Sequence, residues 1–450
     1  MSVPNRRQRG NHESAVVQAV DGWQAWQRLL SLMAGAFTAP SRLLFSELAT
    51  AWVVLPGRHT ITRLWQTIDD GGRRSHDAYH RFVRAGKWEP RTLWQLLGRE
   101  MVRLFCPVGD IYLDVDDTLF HKTGRKISGT GTWRDAVRST RNRVVYAWGL
   151  NLVVLTLRVQ PPWGGEPLGL PIDVRLHHKG GPTLLDLATE MVREVAVWFP
   201  ERTLRLSGDG AYAPLAGRDL QRTHVTSRLR RDAALFELPP PRYKGQRGRP
   251  AKKGCRLPTL AEMAQQVPSE EWQRAKVDVR GKTREYLLYA RPVLWYKVSP
   301  DRQVLLVIVR DPAGLQPDDY FFTTDLEGLA TAVPRDYGGR WSIEDTFRSG
   351  KQFLGAEDPQ TRVGDGPERA AVLSFWTYSA VWTWYVSFHG TERTWPNLPW
   401  YPQKTTPSFP DALAALRRAL WRQRIFAGSD PSPHLTKIQS LLLEALATAA

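Results

Sequence analysis

Apolar positions recur at helical spacing through the first hundred residues of the chain. Leu29 and Met33 form one such pair, and turn residues at 56–57 and 70–72 interrupt the pattern. Residues four apart lie on one face of a helix, so the spacing predicts amphipathic helices that pack against each other. We therefore predict a helical N-terminal domain over residues 1–105.

From residue 110 the pattern changes to apolar runs of strand length separated by one helix. The predicted strands are 111–115, 144–159 and 204–206, and the helix between the last two is 184–198. Alternation of this kind predicts an α/β core, a mixed sheet flanked by helices. Two later strand-like runs, 285–298 and 304–310, follow a Pro/Gly/basic loop and indicate a β-rich insertion.

Helical patterns return after the insertion and continue to the end of the chain. The predicted helices are 332–354, 368–388, 411–425 and 435–448. The stretch 370–388 carries no charge, but its serines, threonines and tryptophans favour a buried core helix over a membrane span. After the N-terminal domain, the predicted division is a core in two parts, 106–225 and 332–400, an insertion, 226–331, and a helical C-terminal region, 401–450.

Charge changes this picture by pointing to a partner. The chain has 62 Lys and Arg against 45 Asp and Glu, a formal charge of +17, which favours a polyanion such as nucleic acid. Arg247-Gly-Arg249-Pro has the core of an AT-hook, whose arginines enter a narrow minor groove. A solvated basic loop is the alternative there. For the N-terminal domain, DNA binding and simple helical packing remain alternatives.

The cysteines and the N-terminus indicate a cytoplasmic protein. Cys106 and Cys255 supply neither a disulfide framework nor a four-thiolate zinc site. The polar, basic residues 1–13 lack the apolar core of a secretory signal.

The first candidate for chemistry is an acidic run on a predicted strand. Asp114 and Asp116 fall on one face of this strand and Asp117 on the other. Like charges this close raise one another's pKa, so a cation or a catalytic role is favoured over a solvated acidic turn. Asp114-x-Asp116 resembles the opening motif of haloacid-dehalogenase-like phosphatases. Asp116-x-Thr118 resembles the end of the first strand of a ribonuclease-H-like core.

A second acid stands where the ribonuclease-H-like hypothesis requires one. Asp209 follows the short strand 204–206 and begins an Asp-Gly turn, so its carboxylate points out from the end of a sheet. An Asp-Gly pair is more often only a turn. Asp209 therefore gains weight only from its place between the other candidate acids.

A polar stripe on the helix 332–354 carries the most specific signal. At about 100° per residue, Tyr337, Arg340, Glu344 and Lys351 share an arc of about 60°. An ordinary surface ladder of charged side chains is the alternative. The spacing is also that of the Tyr-x2-Arg-x3-Glu-x6-Lys motif of the YREK class of insertion-sequence transposases, which the chain resembles from about Ser41 to Arg362.

This resemblance implies a DDE transposase with a ribonuclease-H-like catalytic core. It implies two Mg²⁺ or Mn²⁺ ions held by Asp116, Asp209 and Glu344, with Asp116 bridging both. The sequence assigns the first catalytic acid to this cluster of three aspartates without singling out one of them. Asp114 and Asp117 therefore remain alternatives to Asp116.

The resemblance also implies the partners. Tyr337, Arg340 and Lys351 would contact phosphates near the scissile bond. The substrates would be double-stranded DNA, namely transposon terminal inverted repeats and target DNA. The protein would act as a homodimer in the synaptic complex, associated with the bacterial nucleoid and not with a membrane.

Overall fold

The computed structural model describes residues 21–68, 74–140, 142–241, 243, 247–396, 399–426 and 433–449. The predictions made for residues 1–13 and for the turn at 70–72 lie outside these ranges. Five helices open the described chain: α1 Gly22–Leu32, α2 Ala39–Val54, α3 Ile61–Ile68, α4 His76–Ala85 and α5 Pro90–Phe105. The predicted helical N-terminal region is confirmed.

A ten-stranded mixed sheet forms the centre of the molecule. Its first part consists of β1 Ile111–His121, β2 Gly131–Arg134, β3 Tyr146–Val159, β4 Leu168–His177, β5 Leu204–Gly208 and β6 Thr223–Arg228. β1 lies between β3, its antiparallel neighbour, and β5, which runs parallel to it. β4 pairs with β3, and β6 pairs in parallel with β5. Three antiparallel strands followed by two parallel ones are the arrangement of a ribonuclease-H-like fold, as predicted.

The strands of the predicted insertion continue this same sheet. They are β7 Gln273–Val279, β8 Lys282–Val293, β9 Val304–Arg310 and β10 Asp319–Thr323, after the short helix α7 Leu260–Gln266. β10 pairs antiparallel with β6, and β9, β8 and β7 follow outward in that order. β6 therefore joins the core to the added strands by backbone hydrogen bonds.

Helices cover the sheet and bury its apolar side chains. They are α6 Leu184–Trp198, α8 Ala332–Gly339, α9 Ser342–Phe353, α10 Gly366–His389, α11 Phe409–Phe426 and α12 Pro433–Thr448. α10 is buried along most of its length, which confirms the core helix predicted at 368–388. Trp376 on this helix packs on Trp26 and Phe45, so N-terminal helices share its core. Within the described ranges, none of the helices combines the length and apolar character that crossing a bilayer requires.

The single helix predicted over 332–354 is wrong, because the chain forms two helices with a turn at Arg340 and Trp341. In a continuous helix the Arg340 amide would bond to the carbonyl of Asp336. That carbonyl instead accepts hydrogen bonds from the Arg158 guanidinium and from the hydroxyl of Ser207, 3.4 Å away.

The turn changes the geometry of the predicted polar stripe. The Trp341 amide bonds to the Gly338 carbonyl, and the Glu344 amide bonds to the Trp341 carbonyl, each three residues back. Such bonds wind the backbone more tightly than an α-helix. Tyr337 therefore lies on α8, whereas Glu344 and Lys351 lie on α9.

One buried histidine makes the stability of the fold depend on pH. His59 is 1% exposed, its Nε2 bonds to the Trp52 carbonyl, and its buried Nδ1 has no described hydrogen-bond partner. Burial lowers the pKa of His59 to about 4. The unfolded chain, with a pKa near 6.5, then binds the proton more readily, so stability is full above pH 6.5 and falls as pH decreases towards 4.

We expect the protein to lose about 2 kcal/mol of unfolding free energy through His59 between pH 7.5 and pH 5. Urea unfolding of His59→Gln should show a correspondingly smaller loss over this range. His178→Gln, a change at an exposed histidine, is the matched control and should behave as the wild type. An equal pH dependence of His59→Gln and the wild type would contradict the assignment.

Candidate active site

The carboxylates of β1 stand in the middle of the sheet. β1 pairs through all three acids with β3, as Asp116 lies opposite Val154 and Asp117 opposite Val153. On its other edge β1 pairs with β5 from Ile111 to Val115, so Asp114 is paired on both edges, whereas Asp116 and Asp117 are paired with β3 alone. The two faces of the strand then give the three aspartates different surroundings.

Asp114 is enclosed completely. Its side chain is 0% exposed, and its Oδ2 lies 3.5 Å from Nε of Arg158, itself buried on β3. Burial raises the pKa of Asp114 to about 6, although Arg158 and Arg340 act in the opposite direction. A substrate cannot reach this carboxylate without opening the core.

Asp116 is less deeply buried and is paired with the arginine of the predicted motif. Nη1 of Arg340 donates to Oδ2 of Asp116 over 2.7 Å. Burial, together with the carboxylates of Asp209 and Asp117, raises the pKa of Asp116 to about 7 against the effect of Arg340. One guanidinium therefore does not compensate the negative charge that gathers here.

Asp209 reaches the same cluster from the next strand. β5 pairs in parallel with β1, and its last residue, Gly208, lies opposite Val115. Asp209 and Asp116 are the next residues along the two chains, so they occupy corresponding positions. Oδ1 of Asp209 accepts from the amide of Ala211 over 2.8 Å, the turn that the Asp-Gly pair predicts.

Asp117 and Tyr212 complete the cluster from the opposite face of β1. The Tyr212 hydroxyl donates to Oδ1 of Asp117 over 3.2 Å. Burial raises the pKa of Asp117, and the charge of Asp209 adds to this. Burial and the three neighbouring carboxylates likewise raise the pKa of Tyr212, so it remains a neutral hydrogen-bond donor.

Glu344 occupies the first turn of α9, four residues after Arg340. Its side chain is exposed, and no described hydrogen bond or ion pair joins it to Asp116 or Asp209. Because Arg340 reaches Asp116, the N-terminal end of α9 lies towards the face of β1 that carries this aspartate. No described contact places the Glu344 carboxylate in the cluster, so its role as a ligand stays a prediction.

Lys351 and Tyr337 hold different positions around the cluster. Nζ of Lys351 donates to the Leu119 carbonyl on β1 over 2.8 Å and lies 3.7 Å from Oε1 of Glu357. Tyr337 packs on Phe321, with ring centroids 4.8 Å apart. Lys351 therefore contacts β1, the strand that carries the acids, whereas Tyr337 packs on the added strand β10.

The AT-hook arginines lie away from these contacts. Arg247 and Arg249 are exposed in the loop before α7, and no described contact links them to Asp116 or Asp209. Their role as DNA ligands remains a prediction.

The acidic cluster suits a divalent cation in part. Carboxylate oxygens are the ligands of Mg²⁺ and Mn²⁺. Burial raises the pKa of both Asp116 and Asp117, and the charge of Asp209 adds to each rise, so a cation would stabilise the ionised carboxylates here. Among the residues that the structure describes, no three His, Cys, Asp or Glu side chains already stand together as a metal site. Asp116 and Asp209 fit as ligands, and Glu344 would complete the set by moving inward.

Sequence reasoning missed the residues that support the cluster. Arg158 neutralises Asp114 and interrupts the helix before Arg340, and Tyr212 bonds to Asp117. Arg158 stands inside a predicted apolar strand, and a charge there is a signal for a buried partner. Tyr212 follows Asp209 by three residues, yet nothing local indicates its partner.

The fold and the acidic cluster define a ribonuclease-H-like protein with carboxylates at the ends and centre of adjacent strands. The family model described as DDE superfamily endonuclease matches residues 32–285, more than half of the chain. The chain belongs to this family, whose members are generally divalent-metal-dependent nucleases that act on DNA. The match includes Asp116 and Asp209 and ends before Glu344. No curated protein matches the chain.

The charge cluster predicts a measurable cost to stability. The pKa of Asp116 is higher in the folded chain than its ordinary value of 3.8, so the folded state binds the proton more tightly. Stability is therefore full below pH 4 and falls as pH rises towards 7. In EDTA at pH 8, we expect Asp116→Asn to raise the unfolding free energy by about 2–4 kcal/mol.

Urea unfolding at pH 8 and pH 5 checks this expectation. The gain should shrink at pH 5, where the wild-type carboxyl group is mostly protonated. Asp301→Asn, at an exposed aspartate, serves as the matched control and should change stability little. A lower stability of Asp116→Asn at pH 8 would show that the pair with Arg340 outweighs the repulsion.

Proposed function

We propose that the protein is a DNA transposase of the YREK class, which cleaves DNA at transposon ends and joins the freed ends to target DNA. It would act as a homodimer on terminal inverted repeats. The observation that carries the proposal is the cluster of Asp116 and Asp209 on adjacent strands, with Arg340 of the motif bound to Asp116. The family supports the nuclease chemistry.

Asp116, Asp209 and Glu344 are the proposed metal ligands and catalytic residues. Two bound Mg²⁺ or Mn²⁺ ions would supply a nucleophilic oxygen and stabilise the leaving oxygen during displacement at phosphorus. The pairing of β1 with β5 ends at Val115 and Gly208, the residues directly before the two aspartates, which supports a shared site for their carboxylates. Glu344 lies in the first turn of α9 with an exposed side chain, and we propose that it joins the two aspartates when the metal ions bind.

The basic residues of the motif would bind and orient the DNA backbone. Arg340 presents a planar guanidinium that can bind two phosphate oxygens, and Lys351 presents a point charge held beside Leu119. On DNA binding, Arg340 would exchange its bond to Asp116 for a phosphate oxygen. Tyr337 lies under the Arg340 guanidinium, with Cζ 5.5 Å from the ring centroid.

The phosphatase alternative requires Asp114 as the nucleophile. Asp114 is fully enclosed and faces Arg158, so it has no path to a phosphate ester. Asp116 and Asp117 are the partly exposed acids of β1. Arg340 binds Asp116, which favours Asp116 over Asp117 as the first catalytic acid.

A nicking assay on the DNA that flanks the gene tests the proposal. Inverted repeats on both sides of the reading frame would supply the substrate, cloned into a supercoiled plasmid. We expect Mg²⁺-dependent nicks at the repeat ends and, with a second plasmid present, joined products. Binding to the repeats without any metal-dependent cleavage would indicate a protein of transposase descent that only binds DNA.

A further inference from the structure

The hairpin formed by β2 and the first residues of β3 concentrates positive charge at one end of the sheet. Between residues 122 and 146 the chain carries seven basic residues and one acidic residue, Asp135. Among the described residues of this segment, the exposed basic side chains are Arg125 and Lys126 before β2, Arg134 on β2, and Arg138 and Arg143 between β2 and β3. Asp135 is 2% exposed and is paired with His121 and with Arg138. The surface of this hairpin is therefore strongly positive.

The hairpin is held firmly on the sheet. Nε1 of Trp133 donates to the Gly149 carbonyl over 3.2 Å, and Nε1 of Trp148 donates to the Gly124 carbonyl over 3.1 Å. Its turn is closed by a 2.8 Å bond from the Asp135 amide to the Val145 carbonyl. Arg134 lies on the ribbon itself, and Arg143 lies in the connection between its strands, where its backbone carbonyl accepts from the Thr140 amide over 2.8 Å. Basic side chains on a backbone held in this way lose less conformational entropy on binding than those on a loose loop.

The hairpin also lies in line with the candidate active site. Gly149 pairs with His121, which follows Asp116 by five residues on β1. At about 3.3 Å per residue, the paired end of the hairpin begins about 17 Å from Asp116 along the strand. Since the rise of duplex DNA is about 3.4 Å per base pair, this distance corresponds to about five base pairs.

Apolar side chains stand among the arginines at the free end. Val137 is 93% exposed, Tyr146 is 65% exposed, and Arg134 is the cross-strand neighbour of Tyr146. A two-stranded ribbon has the width of the major groove of B-form DNA, and apolar side chains can contact thymine methyl groups there. Charge and shape together favour duplex DNA as the occupant.

We propose that the β2–β3 hairpin binds duplex DNA beside the cleavage position, with Arg134 and Arg143 contacting phosphates and Val137 entering the groove. This inference rests on the proposed function, because the DNA path that we propose runs from the candidate active site to the hairpin. It assigns a contact surface that is separate from the motif residues on α8 and α9 and from the AT-hook loop.

Binding of a 30-base-pair duplex of random sequence to the full chain tests the hairpin. Fluorescence anisotropy in EDTA, over a series of NaCl concentrations, gives the affinity and its salt dependence. We expect Arg134→Ala/Arg143→Ala to bind about 10- to 100-fold more weakly at 0.1 M NaCl, with a log–log slope shallower by about 1.8, since each lost phosphate contact changes the slope by about 0.9.

Two control variants separate charge from folding. Arg134→Lys/Arg143→Lys keeps both charges and should retain the slope, whereas Thr132→Ala/Thr140→Ala changes neutral hairpin residues and should retain both affinity and slope. Wild-type affinity and slope in the double alanine variant would overturn the proposal. So would a lysine variant as weak as the alanine variant, or a loss seen on an RNA duplex and not on DNA.

The same measurements separate this inference from the proposed function. Binding in EDTA does not depend on cleavage, so hairpin-dependent binding by a protein that never nicks DNA contradicts the transposase proposal alone. Normal nicking by a double alanine variant with unchanged binding contradicts the hairpin proposal alone.

Discussion

Replacing Asp116 with asparagine is expected to lower metal-dependent nicking by at least about 10³-fold while leaving DNA binding within a few-fold of the wild type. The amide keeps the size of the side chain and can still accept a bond from Arg340, but it removes the charge that a cation requires. Asp209→Asn and Glu344→Gln should fail in the same assay. Nicking rates on supercoiled plasmid and anisotropy on the same DNA measure the two effects separately.

The neighbouring aspartates provide matched controls within one strand. Asp114→Asn should cleave within a few-fold of the wild type, because Asp114 is enclosed and faces Arg158. Asp117→Asn should have an intermediate effect through its bond to Tyr212 and its charge on the cluster. An inactive Asp117→Asn beside an active Asp116→Asn would move the first catalytic acid by one residue and onto the other face of β1.

Replacing Arg158 with methionine is expected to lower the free energy of unfolding by about 3–5 kcal/mol. Arg158 lies between β1 and α8, where its guanidinium faces Asp114 and bonds to Asp336 and Ser207. Its loss leaves the buried Asp114 carboxylate with only the weaker effect of Arg340, and a buried charge without a close partner is costly. Urea unfolding at pH 8 measures the change.

A double variant and a surface variant control this expectation. Arg158→Met/Asp114→Asn removes both charges and should recover part of the stability lost in Arg158→Met. Arg103→Met breaks an exposed pair with Glu100 and should cost less than about 1 kcal/mol. If the double variant were no more stable than Arg158→Met, the burial of an unpaired Asp114 would not be the cause.

The negative charge of the acidic cluster is expected to affect both folding stability and cation binding. The charge repulsion that is expected to make Asp116→Asn more stable in EDTA is also the property that would attract a cation. A substitution that removes this repulsion should raise folding stability and abolish cation binding at Asp116. The same variant is therefore expected to be more stable and inactive.

Elements made by local interactions were accessible from the sequence. α6 was predicted with its observed bounds, Leu184–Trp198, because its apolar periodicity is clear and Thr183 and Asp186 cap its start reciprocally. β9, Val304–Arg310, was likewise predicted with its observed bounds from an uninterrupted apolar run. The Asp-Gly turn that places Asp209 at a strand end also depends only on neighbouring residues.

Elements without such local signals were missed. β7, Gln273–Val279, has exposed, charged residues because it is the last strand of the sheet, and β4, Leu168–His177, contains a proline within it. Each becomes a strand by pairing with a neighbour. The predicted strand 111–115 likewise extends to His121 because β3 pairs with it through the acidic residues.

The candidates for chemistry were predictable from the sequence alone: three acids on a strand, an acid at a turn, and a motif of four polar residues. Their environments depend on the tertiary structure. Arg340 and Asp116 are 224 residues apart along the chain, and Arg158 reaches Asp336 across 178 residues. Periodicity and caps act within a few residues, whereas burial and charge pairing depend on every element that packs around a group, so Asp114 became a structural acid and Asp116 the candidate ligand.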